Sequence, residues 1–356
     1  MMKVLAVTNV YPTAGFPALG AFVDQQITSL RAIGLSVDVL LFDRAAKGYG
    51  VYFRGQATVL DSLRRGRYDL VHSMHGGVLA DLVTTSVGRQ CPTVVTLHES
   101  DLLGETGPGL LRRSVTRLVV AATKRAARRA HGVVTVSSRL EQALPPSIDR
   151  AKVRVIPGGV DFERFAPQDP AICRRTLGWA DDTFHVLFSN NGHPNKRPAL
   201  ASRAVVALRR LGVSAELHEL RDVPYDLIPA WINASDALLL TSLHEGSPTI
   251  VKECLTCNVP VVSVDVGDVR ERIAGIEGGG LIASDNPDAL AEALFTIQRA
   301  RRRIDSRTHL QHLSLTRIAG EVHRFYQELV CQHQMSRLVG RGNAIPLPWP
   351  RLFGLK

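Results

Sequence analysis

Short apolar runs rich in Val, Leu and Ile recur along this chain, and most lead into a longer stretch whose apolar residues return every three or four positions. Val4 to Thr8 is the first run. A loop from Asn9 to Gly20 follows, carrying Pro12, Gly15 and Pro17, then Ala21 to Ile33 has helical spacing and ends at Gly34. Val37 to Phe42, Asp69 to His72, Thr93 to Leu97, Gly132 to Ser137 and the stretch from Val153 read as further strands. Between Phe165 and Asp181 the pattern is interrupted, with Pro167 and Pro170 inside the gap. A second series follows: strand His185 to Ser189, helix Pro198 to Leu211, strand Glu216 to Leu220, a short helix with Trp231 turned to the core, and an apolar run ending at Leu240. Helices are predicted over Pro287 to Ala300 and Leu315 to Leu329. Alternating strands and helices specify an α/β protein with parallel, doubly wound sheets, and 356 residues are enough for two cores. The expected division is a Rossmann-like first domain over 1–165 and a second over 166–315, then the last helix, 316–330, and a flexible basic, Pro-containing tail over 331–356.

The stretch from Thr241 to Val262 carries the most chemistry. A buried strand ends at Leu240, Gly246-Ser247-Pro248 makes a turn, and a helix begins near Thr249 with Pro248 suited to its first position. Asn258 ends that helix, and the next strand starts at Val259. The free N–H groups at the start of a helix suit phosphate. Glu245, just before it, is a poor phosphate ligand and better suited to accept hydrogen bonds from hydroxyls. Glu253, eight residues on, can reach a second hydroxyl-bearing ring. Phosphate between two polyols is the layout of a nucleotide-sugar.

Glu245-x7-Glu253 followed by Cys-Leu-Thr-Cys-Asn-Val-Pro-Val-Val resembles the E-x7-E signature of retaining glycosyltransferases of family 4, which have the GT-B fold. The resemblance covers roughly residues 3 to 330. It implies two Rossmann-like domains facing a central cleft, the donor mainly on the second, the acceptor mainly on the first, and a last helix that crosses back to the first. It implies that Glu245 contacts the donor sugar and Glu253 the ribose, and that Gly246, Ser247 and the amides of Thr249 and Ile250 hold the diphosphate. Ser247-Pro248 stands where Phe-Gly is common, so one amide donor is missing. The loop ending in Gly20 approaches the donor phosphates in this family. His98-Glu99-Ser100-Asp101 is similar to the family's His-Gly-x-Asp, which puts His98 at the reaction centre; Glu99 replaces a Gly and adds negative charge. His75 and Asp101 are acceptor-side candidates, and His72 flanks the same strand end as His75. Lys196 matches the family's phosphate-binding Lys, whereas Asn190 or Asn191 stands where an Arg is expected; Arg197 is the compensating candidate. Val155-Ile156-Pro157-Gly158-Gly159-Val160-Asp161 resembles the family's Pro-Asn-Gly-Val-Asp turn, with Gly158 for Asn and Asp161 as a helix N-cap. Val266-Gly267-Asp268 resembles a strand-end Gly-Gly, with Asp268 for Gly. The family chemistry is a front-face transfer in which the leaving phosphate accepts the acceptor's proton, without metal or other cofactor.

Composition narrows this further. The net charge of +10 favours anionic partners without choosing among nucleic acid, anionic lipid and nucleotide-sugar. Residues 110–130 concentrate the excess: Arg112, Arg113, Arg117, Lys124, Arg125, Arg128 and Arg129, with no acid. No aromatics interleave that charge, which speaks against nucleic acid, while a basic amphipathic helix can lie on anionic lipid. Five scattered cysteines suggest no disulfide framework, and Cys254-x2-Cys257 reads as small packing residues in a helix. With no run long enough to span a bilayer and no signal peptide, the expected location is cytoplasmic, peripheral on the inner face of the membrane. Trp349 and Phe353 in the tail are candidates for an interfacial anchor. The expected partners are a nucleotide-sugar donor and a carbohydrate or lipid-linked acceptor, as in cell-envelope polysaccharide or glycolipid synthesis. Two other classes stay open: a nucleotide-sugar epimerase of GT-B-like fold, and a non-catalytic anion- or membrane-binding protein.

Overall fold

The computed structural model describes residues 1–16, 19–104, 110–300 and 303–339. Two parallel sheets form. The first contains β1 (Lys3–Thr8), β2 (Ser36–Leu41), β3 (Leu70–Ser73), β4 (Thr93–Leu97), β5 (Gly132–Thr135) and β6 (Val153–Val155), in the order β2-β1-β3-β4-β5-β6. The second contains β7 (Phe184–Ser189), β8 (Ala215–Leu220), β9 (Ala237–Leu240), β10 (Val261–Ser263) and β11 (Gly280–Ile282), in the order β11-β10-β9-β7-β8. Strands covered by helices on both faces read as unbroken apolar runs rather than alternations. Val4 to Val7 and Leu238 to Leu240 are such runs, all buried.

The order of strands reverses between β1 and β3 in the first sheet and between β7 and β9 in the second. At such switch points neighbouring loops part and leave a crevice at the carboxyl ends of the strands. The segments Ser189–Lys196 and Thr241–Pro248 leave β7 and β9 at this point, so the stretch that carried most chemistry in sequence flanks the second crevice.

Leu315–Val339 forms one helix, ten residues longer than the pattern to Leu329 predicts. It lies on the first domain: His72 Nδ1 is hydrogen-bonded to the Tyr326 hydroxyl, and Phe325 and Leu329 fill the space against Gly132. The tail residues 340–356, with Trp349 and Phe353, lie outside the described residues. Two local expectations change. Pro248 is the N-cap of the helix Thr249–Thr256 rather than its first residue. Asp161 caps a turn, taking the amides of Glu163 and Arg164 at 3.0 Å each, and the next helix starts only at Pro170. Cys254 and Cys257 are buried free thiols, and burial raises both pKa values.

Candidate active site

A cleft of about 520 Å³ separates the domains and is lined by both. Its second-domain wall is built at the β7–β9 switch point. The Asn195 side chain ties the two loops there, donating to the His244 carbonyl at 2.8 Å and accepting from its amide at 3.2 Å. The Thr241 hydroxyl donates to the Lys196 carbonyl at 2.7 Å. So held, Lys196 Nζ donates to Glu245 Oε1 at 2.6 Å, with the two side chains only 14% and 17% exposed. Beside this pair the helix Thr249–Thr256 begins. Its first two amides, those of Thr249 and Ile250, lack intrahelical acceptors, and both residues line the cleft. Gly246 packs against the first domain: a Cβ there would stand 3.1 Å from Val136 Cγ2 and 3.3 Å from the Glu99 amide.

Sequence reasoning did not single out Lys252. It is 1% exposed, yet it lines the cleft. Its Nζ donates to the Gly158 carbonyl of the first domain at 2.7 Å and to Ser247 Oγ at 3.2 Å. Ser247 Oγ in turn donates to Asp268 Oδ2 at 2.8 Å, and Arg272 Nε donates to the same oxygen at 2.8 Å. Three departures from the family pattern, Gly158, Ser247 and Asp268, therefore meet around one buried lysine. Burial pulls the Lys252 pKa down to about 8. The neighbouring Glu253 is also buried, which pushes its carboxyl up to about 7 against the opposing pull of Lys252. Glu253 sits one turn inside the helix, behind the cleft wall, near Tyr225. A Lys-Glu pair between Ile250-Val251 and Cys254-Leu255 was the available signal, because charge in a helix otherwise built for a core needs a purpose.

The first-domain wall is made of rings. His98 follows β4 and precedes the helix Glu99–Leu103. Asp101 Oδ2 takes the His98 amide at 3.1 Å and the Gly76 amide at 3.0 Å, so this acceptor-side candidate holds two loops together. His98 Nε2 donates to the Met74 carbonyl at 3.2 Å, which leaves Nδ1 as the acceptor of a neutral ring. Phe22 meets His98 edge-on at 5.2 Å, and His75 lies behind it at 4.9 Å. Burial holds both histidines below the ordinary imidazole pKa. Glu99 lines the cleft, as its sequence position suggests, and its Oε2 lies 2.9 Å from His244 Nδ1, joining the two walls.

Not every candidate comes to the cleft. Arg197 has φ of 54° and turns to the Thr241 carbonyl and Asp285, off the cleft wall, so it does not stand beside Lys196. Gly20 has φ of 76°, and a Cβ there would strike the Val10 backbone at 2.6 Å; the close approach it permits is to its own loop. His72 is a core residue, bonded to Tyr326 and Thr96 and pulled down to a pKa of about 3 by burial.

Residues 27–164 match the family described as Glycosyltransferase Family 4, and residues 184–299 match Glycosyl transferases group 1. The chain is 29% identical to D-inositol 3-phosphate glycosyltransferase of Pseudarthrobacter chlorophenolicus over 66% of this chain and 65% of that one, a little under two thirds of that relative's length. It is 27% identical to the putative teichuronic acid biosynthesis glycosyltransferase TuaC of Bacillus subtilis, covering 82% and 88% of the two. Among solved structures, sucrose-phosphate synthase of Thermosynechococcus elongatus superposes with a TM-score of 0.75 at 17% identity, over 93% of this chain and all of that one. Anabaena HepE in complex with UDP and glucose gives 0.70 at 17% identity, over 92% and 100%. With two facing parallel-sheet domains of GT-B type and family matches across both of them, this chain belongs to glycosyltransferase family 4.

Proposed function

We propose that this protein moves a sugar from a nucleoside-diphosphate sugar to a hydroxyl acceptor, with retention at the anomeric carbon and no metal ion. The observation that carries the reading is the Lys196–Glu245 pair beside the free amides of Thr249 and Ile250. A diphosphate at this helix start meets N–H groups and the Lys196 and Lys252 ammonium groups, which balance charge as the leaving group forms. Glu245, released from Lys196, accepts from sugar hydroxyls, and Glu253 accepts from the ribose. His98, neutral and fixed by Met74, positions the sugar from the opposite wall. The acceptor oxygen attacks the anomeric carbon on the face the phosphate leaves. The bond from that carbon to the phosphate oxygen breaks, and the acceptor's proton passes to the departing phosphate. Anabaena HepE bound to UDP-glucose and Arabidopsis starch synthase IV bound to ADP are similar folds holding such nucleotides.

The names of the relatives point to a polyol or envelope-polysaccharide acceptor. The helix Leu110–Arg129 supports a lipid-surface location for it: Arg113, Arg117 and Arg128 are exposed beside exposed Val115 and Leu118, while Arg125 and Arg129 pair with Asp81. Among the described residues no helix is long and apolar enough to cross a membrane. The test is proton NMR of the product formed with and without a chelator. The expected product has the donor's anomeric configuration in both; an inverted product, or one lost with the chelator and restored by Mg²⁺, overturns the reading.

A further inference from the structure

The second sheet carries a ligand set on the other side of the strands' length from the cleft. His185 precedes Ser189, the last residue of β7, by four positions, roughly 13 Å along the strand. Register places His185 opposite Glu216 on β8, and His218 follows on the same face. His185 is fully buried, and its Nε2 donates to the Ala180 carbonyl at 2.7 Å, so the lone pair sits on Nδ1. Nδ1 faces His218 Nε2 at 2.8 Å, and Glu216 Oε2 stands 3.6 Å from that same nitrogen. One ligand atom from each of the three residues lies within 4.8 Å of the other two.

We propose that His185, His218 and Glu216 bind one divalent ion of the Zn²⁺ class and thereby fasten β8, the edge strand of its sheet, to β7. Two imidazoles and one carboxylate suit borderline first-row ions and not Mg²⁺ or Ca²⁺. The Ala180 carbonyl does for His185 what an outer partner does for a metal-bound histidine, fixing the tautomer and aiming the ring. At metal–nitrogen distances of about 2.0–2.1 Å, a tetrahedral ion needs its two nitrogens roughly 3.3 Å apart. The present hydrogen bond is about half an ångström shorter than that, a change that rotation of the partly exposed His218 supplies. In that hydrogen bond His218 Nε2 carries the proton, which moves to Nδ1 of the same ring when the ion takes its place. Glu216 is the exposed member, and its side gives the ion and its remaining water ligands a way in.

Trp179 reports on the site. Its ring stacks on His218 at 3.5 Å and 12°, and Trp231 lies 6.3 Å from the same imidazole. The experiment uses the untagged full chain, stripped with chelator and titrated with Co²⁺ while tryptophan emission and calorimetric stoichiometry are read. Saturable quenching with one ion per chain, reversed by Zn²⁺ and not by Mg²⁺, is expected. His218→Gln and Glu216→Gln, which keep the side chains polar at partly exposed positions, should weaken binding about 10–100-fold while circular dichroism stays unchanged. Absence of saturable quenching overturns the proposal, as does His218→Gln binding the ion as tightly as wild type.

Discussion

The two walls of the cleft are made by the same strand–loop–helix unit and carry different chemistry. On the first domain the loop after β4 presents neutral rings, His98 with Phe22 at its edge and His75 behind, and its carboxylate Asp101 is spent on backbone amides. On the second domain the loops after β7 and β9 present charge, with Lys196 paired to Glu245 and Lys252 held between Ser247 and Gly158. The difference follows from which groups each loop leaves unspent, since both follow the carboxyl ends of parallel strands. For the proposed reaction it means a division of labour, the second wall facing the anionic diphosphate and the first shaping the space for the sugar and acceptor.

Substitutions on the two walls should therefore fail differently. The largest effect is expected for Lys196→Ala, a loss of about 10²–10³-fold in kcat/KM in steady-state kinetics, felt with every sugar carried by the same nucleotide. His98→Ala should lower kcat by roughly 10–100-fold and leave the donor KM near its wild-type value. Equal rises in donor KM for both variants would break the comparison.

The buried pair sharpens it through pH. The Glu253 carboxyl rises from 4.5 to about 7 on folding, so the folded chain holds a proton that the unfolded chain has released, and stability falls as pH rises through that window. The Lys252 pKa falls from 10.5 to about 8, so the folded chain gives up its proton first and stability rises between those values. Glu253→Gln should be more stable than wild type at pH 8, by roughly 1–3 kcal/mol in urea unfolding, with the gain gone near pH 4.5. Its donor KM should lose the improvement that wild type shows as pH rises through 7. The smallest effect belongs to Arg197→Ala, whose guanidinium turns to Asp285; kcat/KM should stay within about threefold of wild type.

The fold was legible because parallel strands buried on both faces leave short unbroken apolar runs between helical patterns. β4 and the helix Pro287–Ala300 fall where the pattern puts them. The three-residue strand β11 has Gly280, Leu281 and Ile282 and leaves no run to read. In the site, motif spacing pointed to Glu245, Lys196 and His98, which lie in segments leaving strand ends and line the cleft. Lys252, His244 and Phe22 were missed because their importance comes from contacts between residues far apart in sequence, Lys252 to Gly158 and His244 to Glu99 across the cleft and Phe22 to His98 within the first wall. Arg197 was misplaced for a local reason: a left-handed φ turns its side chain away from the direction that spacing alone suggests.

The central claim, that the second-domain wall is a nucleoside-diphosphate-sugar site, is tested most directly by thermal shift against UDP-, GDP-, ADP- and dTDP-sugars with wild type and Lys196→Ala in parallel. A raised melting temperature with one nucleotide family, absent in Lys196→Ala, is the predicted result. No shift with any of the four, or the same shift in both proteins, would contradict it.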